Sequence, residues 1–553
     1  MTITLDPSLV AARARGMREG GFWLDRTVDA YLAEHIARQP EKTAVISYRT
    51  GGGAPLRLSY RELGRMVDVA AGTLRRWGVG RGDVVSIQLP NGWEFVVVAL
   101  ACIRLGAAAH PMVPILRERE VRYMVGFCDA KVLVVPKVFR GFDHATMARG
   151  LLETLPQLEH VVVVDGEGAD GFEQSLLGKA QADAGAGTEL VCYDPAAPAL
   201  LPDDLLVLMY TSGTTGEPKG VMHTSNTVNG NVLRFAEGLG LDGDDVFFGA
   251  TPVGHMTGYG IFVLLPMMLG NTLVLQDIHD PHAGVRIMQA EGVSFSAGAT
   301  PFLADLCEAA LTGGVRPARL RRFYCAGAPI PPALVQRARL ELKLTTSSVW
   351  GMTEVIAGTM TAPEDDERAW TTDGRALPGL EVKVVDDAGR ELPRGITGRL
   401  MVRGASMFCG YLKRPDLYSV DADGWFDSGD LARMNDEGYI RITGRTKELL
   451  IRGGENVPVI EIENLLMQHP AIAGVAIVGF PDARLGERGC AFVVPRAGQV
   501  VDLAAIQAYL EQAKVAKPFW PERVETIAEL PHTASGKVQR FVLKQLAAKY
   551  AIA

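Results

Sequence analysis

Short apolar runs alternate with longer amphipathic stretches between about residues 84 and 350, and this pattern restricts the fold more than any other feature of the chain. VVSIQLP (84–90) predicts a buried strand, and EFVVVALACIRLG (94–106) predicts the helix that follows it. Further strands are predicted for AKVLVVP, LLVLMYT, NTLVLQ, VSFSAG and RRFYCAG, with helices such as PFLADLCEAA and PPALVQRARLELK between several of them. This alternation is typical of α/β folds in which helices cover mostly parallel sheets.

The pattern changes after about residue 375, where EVKVVD and GRLMVRG predict a β-rich subdomain. The last hundred residues predict a separate small α+β unit, with the helices IENLLMQ and DLAAIQAYLEQ and the strands GVAIVGF and GCAFVVP. A chain of 553 residues is too long for one hydrophobic core. We therefore predict a large N-terminal domain with a β-rich subdomain, followed by a small C-terminal domain.

Composition argues against several classes of function. A net charge of -8 and a pI of 5.8 provide no basic field for gathering nucleic acid. The longest apolar run, Ile261 to Leu269, is about half of the ~20 residues that span a bilayer. The N-terminus does not look like a signal peptide, the cysteines form no Cys-x-x-Cys pair, and the histidines form no zinc pattern. We expect a cytoplasmic protein with reduced thiols, no nucleic-acid partner and no membrane span.

The stretch YTSGTTGEPKGVM (210–222) follows the predicted strand LLVLMY and combines glycines, hydroxyls and one lysine. Open α/β sheets bind ligands at the carboxyl ends of their strands. Glycines let backbone amides approach an anion, while Ser212, Thr214 and Thr215 add hydroxyl donors and Lys219 adds a positive charge. The stretch predicts an anion-binding loop, with a flexible surface loop as the alternative. Its order E-P-K-G does not match the Walker A motif.

Four further motifs follow in the chain: VWGMTE (349–354), GWFDSGDLA (424–432), GYIRITGRTKELLIRGGENV (438–457) and PHTASGKVQR (531–540). With TSGTTGEPKG they resemble, in the same order, the motifs of the adenylate-forming superfamily of acyl- and aryl-CoA ligases, luciferases and peptide-synthetase adenylation domains. The resemblance covers nearly the whole chain. In length and in segments such as VSIQLPNGWEF and PKVFRGFD, the chain is most similar to cyclohexanecarboxylate-CoA ligase and medium-chain acyl-CoA ligases.

The resemblance implies two half-reactions on a small-molecule carboxylic acid. The acid attacks the α-phosphorus of ATP to give acyl-AMP and pyrophosphate, and the thiol of coenzyme A then displaces AMP. The implied substrates and cofactor are the acid, ATP, CoA and Mg2+. Because ATP and the acid are both anions, the site needs cations and hydrogen-bond donors that are placed in advance.

The resemblance also implies which residues bind the nucleotide. The loop from Thr211 to Lys219 matches the cradle for the β- and γ-phosphates, and Asp430 and Arg445 match the groups at the ribose. Trp350 matches the aromatic residue beside the adenine. The remaining matches are Ser212, Gly213, Thr214, Thr215 and Gly216 in the cradle, Gly327, Ala328, Pro329 and Gly351 at the base, and Thr353 and Glu354 at the α-phosphate and Mg2+.

The C-terminal motifs imply a domain that changes orientation. Lys537 matches the lysine that bridges the acid and the α-phosphate, and Lys447 matches the hinge between domains. Gly453, Gly454 and Glu455 match the loop that faces the CoA tunnel. The expected boundaries are therefore residues 1–446 for the ATP- and acid-binding domain and residues 447–553 for the mobile domain.

His255, in ATPVGHMTG, matches the position that gates the acid and contacts its carboxylate, with a packed loop residue as the alternative. The predicted lining of the acid pocket is Met256, Gly327, Gly351, Met352 and Val355. None of these carries a charge that would bind an amino group, so an alicyclic, aromatic or medium-chain acid is expected. Two other functions stay open: an acid-AMP ligase that loads a separate carrier protein, and an inactive acid or nucleotide binder. A homodimer also stays open.

Overall fold

The computed structural model of the chain describes residues 3, 5, 6, 8–178, 190–211, 218–327, 330–367, 369–446, 450–452, 455–457, 459–482, 484–513, 515–533 and 536–550. Within these residues the predicted α/β class is confirmed, because two large, mostly parallel sheets are covered by helices. No helix in this part of the chain is long and apolar enough to cross a membrane.

In the described ranges, the larger sheet has nine strands. Its spatial order is Arg375–Ala376, Thr359–Met360, Thr345–Trp350, Arg322–Ala326, Phe295–Gly298, Val246–Gly249, Thr272–Gln276, Thr43–Tyr48 and Leu56–Ser59. Neighbouring strands are parallel from Thr345–Trp350 to Thr43–Tyr48 and antiparallel at both edges. The central strands are largely buried, as their apolar runs predict.

The second large sheet has six strands among the described residues. Its order is Lys219–Thr224, Leu205–Thr211, Ala108–Pro111, Val84–Ile87, Val132–Pro136 and His160–Val164. All neighbours are parallel except the first two strands, which form an antiparallel pair with Thr211 opposite Lys219. The two ends of the anion-loop motif, Thr211 and Lys219, are therefore paired, and residues 212–217 lie outside the described part. A small hairpin, Val138–Phe139 with Phe142–Asp143, follows the strand Val132–Pro136.

Helices alternate with these strands. In the N-terminal part they are Ser8–Glu19, Val28–Arg38, Tyr60–Arg76, Trp93–Leu105, Glu118–Phe127, His144–Thr154, Phe172–Ser175, Ser225–Leu239, Met256–Tyr259, Leu265–Leu269, Pro281–Ala290, Thr300–Thr312 and Pro332–Leu342. The apolar run Ile261 to Leu269 forms a π-helical turn, Gly260–Leu264, and the helix after it, all within or beside the core.

The helix Trp93–Leu105 is buried on every side. It packs against Thr43–Tyr48 of the larger sheet and against Val84–Ile87 and Ala108–Pro111 of the second sheet. Full burial explains why its sequence, WEFVVVALACIRL, has almost no polar face.

Two smaller sheets complete the chain. The β-rich subdomain is an antiparallel sheet of Leu380–Val385, Gly398–Gly404, Phe426–Met434 and Ile440–Arg445. The C-terminal sheet comprises Glu455–Val457, Leu450–Arg452, Gly486–Pro495, Ile472–Asp482 and Arg523–Thr526, with the helices Val459–Leu466, Leu503–Gln512 and Arg540–Ala548. One sheet ends at Arg445 and the next begins at Leu450, while residues 447–449 are outside the described part. The boundary at residue 447 stays a prediction.

Three helices of the core are joined by one buried arginine. Arg104, at the end of the helix Trp93–Leu105, donates hydrogen bonds from Nη2 and Nε to Asp29 Oδ1 at 2.6 and 3.1 Å. It also donates to Asp68 of the helix Tyr60–Arg76. The side chains of Arg104 and Asp29 are 3% and 5% exposed, so each charge depends on the other.

We expect Arg104→Ala to leave Asp29 as an uncompensated buried charge and to lower the free energy of unfolding by about 3 to 5 kcal/mol. Urea unfolding followed by circular dichroism measures the change. The control is Arg61→Ala, whose ion pair with Glu41 is 65% and 76% exposed. That change should cost less than about 1 kcal/mol. Equal losses in both variants would contradict a structural role for the buried pair.

Candidate active site

The predicted site residues come from distant parts of the sequence and meet at the carboxyl edge of the larger sheet. Gly327 follows the strand Arg322–Ala326, and Trp350 ends the neighbouring parallel strand, with Ala326 opposite Val349. Adjacent parallel strands end at the same edge, which places both residues in one cleft. The β-rich sheet contributes Asp430 and Arg445, and the segment before the helix Arg540–Ala548 contributes Lys537.

Trp350, Asp430 and Arg445 form one hydrogen-bonded group. The indole Nε1–H of Trp350 donates to Asp430 Oδ2 at 2.7 Å, and Arg445 Nε donates to Asp430 Oδ1 at 2.9 Å. Asp430 and Arg445 are opposite each other on neighbouring strands, which explains the second contact. Trp350 and Asp430 are both buried. The structure therefore brings together three of the predicted nucleotide-binding residues.

A second group joins Lys219 to Glu354 through a tyrosine. The hydroxyl of Tyr411 donates to Glu354 Oε1 at 2.8 Å, and Lys219 Nζ lies 5.0 Å from the centroid of the Tyr411 ring. Glu354 is 6% exposed, and this burial raises the pKa of its carboxyl, while the Tyr411 hydrogen bond opposes the rise. Tyr411 thus favours the charged form of Glu354 and borders the positive charge of Lys219.

The sequence alone does not single out Tyr411, because a tyrosine in an apolar segment usually belongs to the core. Its position comes from backbone pairing. Leu412 N donates to Gly220 O at 2.8 Å, and Met222 N donates to Gly410 O at 3.1 Å. The segment around Tyr411 therefore lies along the strand Lys219–Thr224, and this pairing leaves no local pattern in the sequence.

His223 is a second residue that the sequence did not indicate. Its Nε2 lies 2.7 Å from the backbone oxygen of Thr353, and its Nδ1 lies 3.1 Å from Thr227 Oγ1. Burial lowers the pKa of His223 to about 4, so its imidazole is neutral near pH 7. The contact fixes the backbone of Thr353, which precedes Glu354.

A lysine from the C-terminal part reaches the same cleft. Gly327 has a φ of +86°, and a Cβ at this glycine would lie 3.5 Å from Lys537 Cε. Burial lowers the pKa of His255, and the nearby charge of Lys537 lowers it further, to about 4. In the described part of the chain, the buried Nε2 of His255 has no hydrogen-bond partner. A neutral imidazole with an unpaired buried nitrogen is suited to contact a ligand.

The loop of Lys537 is anchored on both sides. A Cβ at Gly536 would lie 3.4 Å from Ala299 Cβ, so the loop lies against the start of the helix Thr300–Thr312. On the C-terminal side, Arg540 Nη1 and Nη2 donate to the two oxygens of Glu463, each at 2.7 Å. The helix Arg540–Ala548, which begins three residues after Lys537, is therefore tied to the helix Val459–Leu466.

The loop that carries His255 is tied to the second large sheet. Asn91 Nδ2 donates to the backbone oxygens of Gly249 and Thr251 at 3.2 and 3.1 Å. Asn91 Oδ1 accepts from Val253 N at 3.0 Å. One side chain after the strand Val84–Ile87 thus sets the path of the chain that leads to His255.

The described part of the predicted acid pocket is apolar. Met256 and Val355 are buried, and Met352 packs against the main core. A Cβ at Gly351 would overlap the backbone oxygen of Ile356, so only glycine fits there.

The remaining predicted residues are Ser212, Gly213, Thr214, Thr215, Gly216, Ala328, Pro329, Lys447, Gly453 and Gly454, which lie outside the described residues, and Glu455, of which only the strand backbone is described.

Glu354 is the candidate magnesium ligand. The described residues contain no group of three or more His, Cys, Asp or Glu side chains that could hold a metal ion. Mg2+ is usually held by one or two carboxylates together with substrate phosphates and water. A single buried carboxylate near the hairpin of Thr211 and Lys219 therefore fits a magnesium ion that takes its other ligands from a bound phosphate compound.

The chain matches two family models, AMP-binding enzyme over residues 32–412 and AMP-binding enzyme C-terminal domain over residues 461–537. It is 35% identical to the medium-chain fatty-acid–CoA ligase of Escherichia coli, over 96% of this chain and 92% of the relative. It is 34% identical to the salicyl-AMP ligase / salicyl-S-ArCP synthetase of Mycobacterium tuberculosis, over 97% of this chain and 94% of the relative.

Solved structures show the same fold. The ATP-bound crystal structure of MatB from Rhodopseudomonas palustris has a TM-score of 0.80 at 27% identity, over 94% of this chain and 99% of MatB. Apo MatB from the same organism has a TM-score of 0.72, over 95% of this chain and 100% of MatB. The ordered motifs, the fold and the family models agree: the chain belongs to the AMP-binding enzyme family.

Proposed function

We propose that the protein is an AMP-forming acid–CoA ligase that joins a small carboxylic acid to coenzyme A at the expense of ATP. The observation that carries this proposal is the position of Lys537. A lysine from the C-terminal part lies against Gly327, near His255, in the cleft that also contains Trp350, Asp430 and Glu354. The TM-score is higher with ATP-bound MatB (0.80) than with apo MatB (0.72), and this difference supports a cleft that includes Lys537.

In the first half-reaction, the carboxylate of the acid attacks the α-phosphorus of ATP, and pyrophosphate leaves. Lys537 would contact both the carboxylate and the α-phosphate, and its charge would stabilise the negative charge that develops between them. The neutral His255 would donate a hydrogen bond from its buried Nε2–H to the carboxylate of the acid, and Lys537 would supply the positive charge. The loop from Thr211 to Lys219 would hold the outer phosphates.

Glu354 would hold Mg2+ jointly with the phosphates of ATP. The ion would offset the repulsion between the phosphates and the acid. Tyr411 would hold the Glu354 carboxylate in place through the 2.8 Å hydrogen bond, which favours its charged form against the effect of burial. Thr353, whose backbone is fixed by His223, would face the α-phosphate.

In the second half-reaction, the thiol of CoA attacks the acyl carbon of acyl-AMP, and AMP leaves. We propose that the C-terminal domain, residues 447–553, rotates about Lys447 relative to residues 1–446 between the two steps. Rotation would withdraw Lys537 and bring Gly453, Gly454 and Glu455 to the CoA tunnel. Domain rotation between steps is a common way for one cleft to serve two reactions.

The substrate is proposed to be an alicyclic, aromatic or medium-chain acid. Met256, Met352 and Val355 provide apolar and adaptable surface and no charge. The 35% sequence identity to the medium-chain fatty-acid–CoA ligase supports this class of substrate. The identity with the salicyl-AMP ligase favours a second candidate, transfer of the acyl group to a carrier protein instead of free CoA. Thioester formation with free CoA alone would separate the two.

The first test is the identity of the products. With an accepted acid, ATP, Mg2+ and CoA, we expect AMP and pyrophosphate in equal amounts with acyl-CoA, because attack occurs at the α-phosphorus. Separation of nucleotides by liquid chromatography, with an enzymatic assay of pyrophosphate, measures this. Formation of ADP and phosphate would overturn the proposed function, whereas acyl-AMP that does not react with CoA would favour the carrier-protein candidate.

Lys537→Ala should separate the two half-reactions. Loss of one preorganised electrostatic contact should slow adenylation about 10²- to 10³-fold. The same variant, given synthetic acyl-AMP and CoA, should form acyl-CoA at nearly the wild-type rate, because Lys537 is withdrawn in that step. Lys549→Ala, an exposed lysine in the same C-terminal part, is the control and should leave both steps unchanged. Equal slowing of both half-reactions by Lys537→Ala would refute the proposed rotation.

A panel of acids tests the substrate class. Octanoate, cyclohexanecarboxylate and benzoate should give higher kcat/KM than acetate or palmitate, since each extra buried CH2 adds about 0.8 kcal/mol until the pocket is full. CoA-dependent release of AMP is the measurement. A preference for acetate or palmitate would contradict the proposed class while leaving the ligase reaction intact.

A further inference from the structure

We propose that Trp350 is a positioning residue for ribose recognition, acting through the hydrogen bond from its indole to Asp430. This inference rests on the proposed function, in which Asp430 receives the ribose hydroxyls of ATP. It assigns to Trp350 a role different from the expected contact with the adenine ring.

The geometry limits what the Asp430 carboxylate can do. Trp350 Nε1 donates to Oδ2 at 2.7 Å, and Arg445 Nε donates to Oδ1 at 2.9 Å. Each carboxylate oxygen has two lone pairs, so, counting the side-chain contacts of the described residues, each oxygen keeps one acceptor site. Two neighbouring acceptor sites on one carboxylate match the two neighbouring hydroxyls of a ribose.

Without the indole, Arg445 would be the remaining side-chain contact of the carboxylate within the described part of the chain. Arg445 is 46% exposed at its side chain and ends a strand, whereas Trp350 and Asp430 are both nearly enclosed. The contact from the buried tryptophan therefore sets the rotation of the Asp430 side chain more firmly than the contact from the exposed arginine. Because the indole nitrogen only donates, it does not compete with the ribose hydroxyls for the carboxylate.

The surrounding backbone holds the indole at this angle. Gly358 N donates to the backbone oxygen of Trp350 at 2.8 Å, and a Cβ at Gly358 would overlap Cζ3 of the Trp350 ring. A glycine at this position is therefore needed to leave room for a tryptophan. The Nε1 edge of the indole therefore contacts the Asp430 carboxylate, while Cζ3 and Cε3 of the same ring pack against Gly358.

The test compares the binding of ATP, 2′-deoxy-ATP and 3′-deoxy-ATP, each with Mg2+ and without an acid, by isothermal titration calorimetry. The wild-type protein should bind ATP about 10- to 100-fold more tightly than either deoxy analogue, since each lacks one charge-assisted hydrogen bond. In Trp350→Phe, which keeps an aromatic ring but has no donor, this ratio should fall to about 3 or less.

The matched control is Trp370→Phe. Trp370 also donates one hydrogen bond from its indole, to the backbone oxygen of Asp365 at 3.1 Å, and it does not contact Asp430. This variant should keep the wild-type ratio. Loss of the ratio in both variants would show general loosening of the fold and would overturn the proposal.

Other outcomes are equally decisive. If Trp350→Phe weakens the binding of ATP and both analogues by the same factor, the indole N–H does not act on the ribose and the proposal is wrong. Unchanged binding of all three nucleotides would also overturn it. If the wild-type protein binds ATP and both deoxy analogues equally well, Asp430 does not bind the ribose hydroxyls and the inference is wrong. A wild-type protein that binds no ATP would instead refute the proposed function.

Gly358→Ala gives an independent perturbation that applies even if Trp350→Phe does not fold. It keeps every hydrogen-bonding group and displaces the indole by steric overlap. We expect the same loss of the ribose ratio with a folded protein, checked by the thermal midpoint. A folded Gly358→Ala variant with the wild-type ratio would overturn the proposal.

Discussion

The complete burial of the helix Trp93–Leu105 between two sheets is the constraint on which the cleft depends. Because this helix packs against strands of both sheets, the sheets cannot shift relative to each other without opening the main core. Asn91 adds a polar connection across the same junction, since it fixes the chain from Gly249 to Val253 that leads to His255. The paired strands that end at Thr211 and begin at Lys219, in the second sheet, and the strands that end at Ala326 and Trp350, in the larger sheet, therefore border the same cleft.

Much of this architecture could be predicted from the sequence, because buried parallel strands require short continuous apolar runs and the covering helices require amphipathic ones. The candidate site residues could be proposed because five motifs resembled a known family in the same order. What the sequence could not supply were contacts between distant segments. Tyr411 reaches Glu354 through pairing with the strand Lys219–Thr224, and His223 reaches Thr353 across 130 positions of the chain.

Trp350 shows the difference between a motif and its geometry. The motif identifies an aromatic position near the nucleotide, but any aromatic side chain would satisfy the pattern. The hydrogen bond to Asp430 requires a donor at one position of the ring, which only the folded arrangement reveals. In the same way, the neutral state of His255 follows from its burial and from Lys537, neither of which is visible in the sequence around it.

The ion pair between Arg540 and Glu463 bears on the position of Lys537 in the cleft. Arg540, three residues after Lys537, makes two partly buried, charge-assisted hydrogen bonds to Glu463, and these tie the start of the helix Arg540–Ala548 to the helix Val459–Leu466. In the proposed rotation, Lys537 would therefore move together with the C-terminal sheet. In the proposed mechanism, a molecule bound to an outer surface of that sheet, far from the nucleotide, would therefore change the position of Lys537 in the cleft.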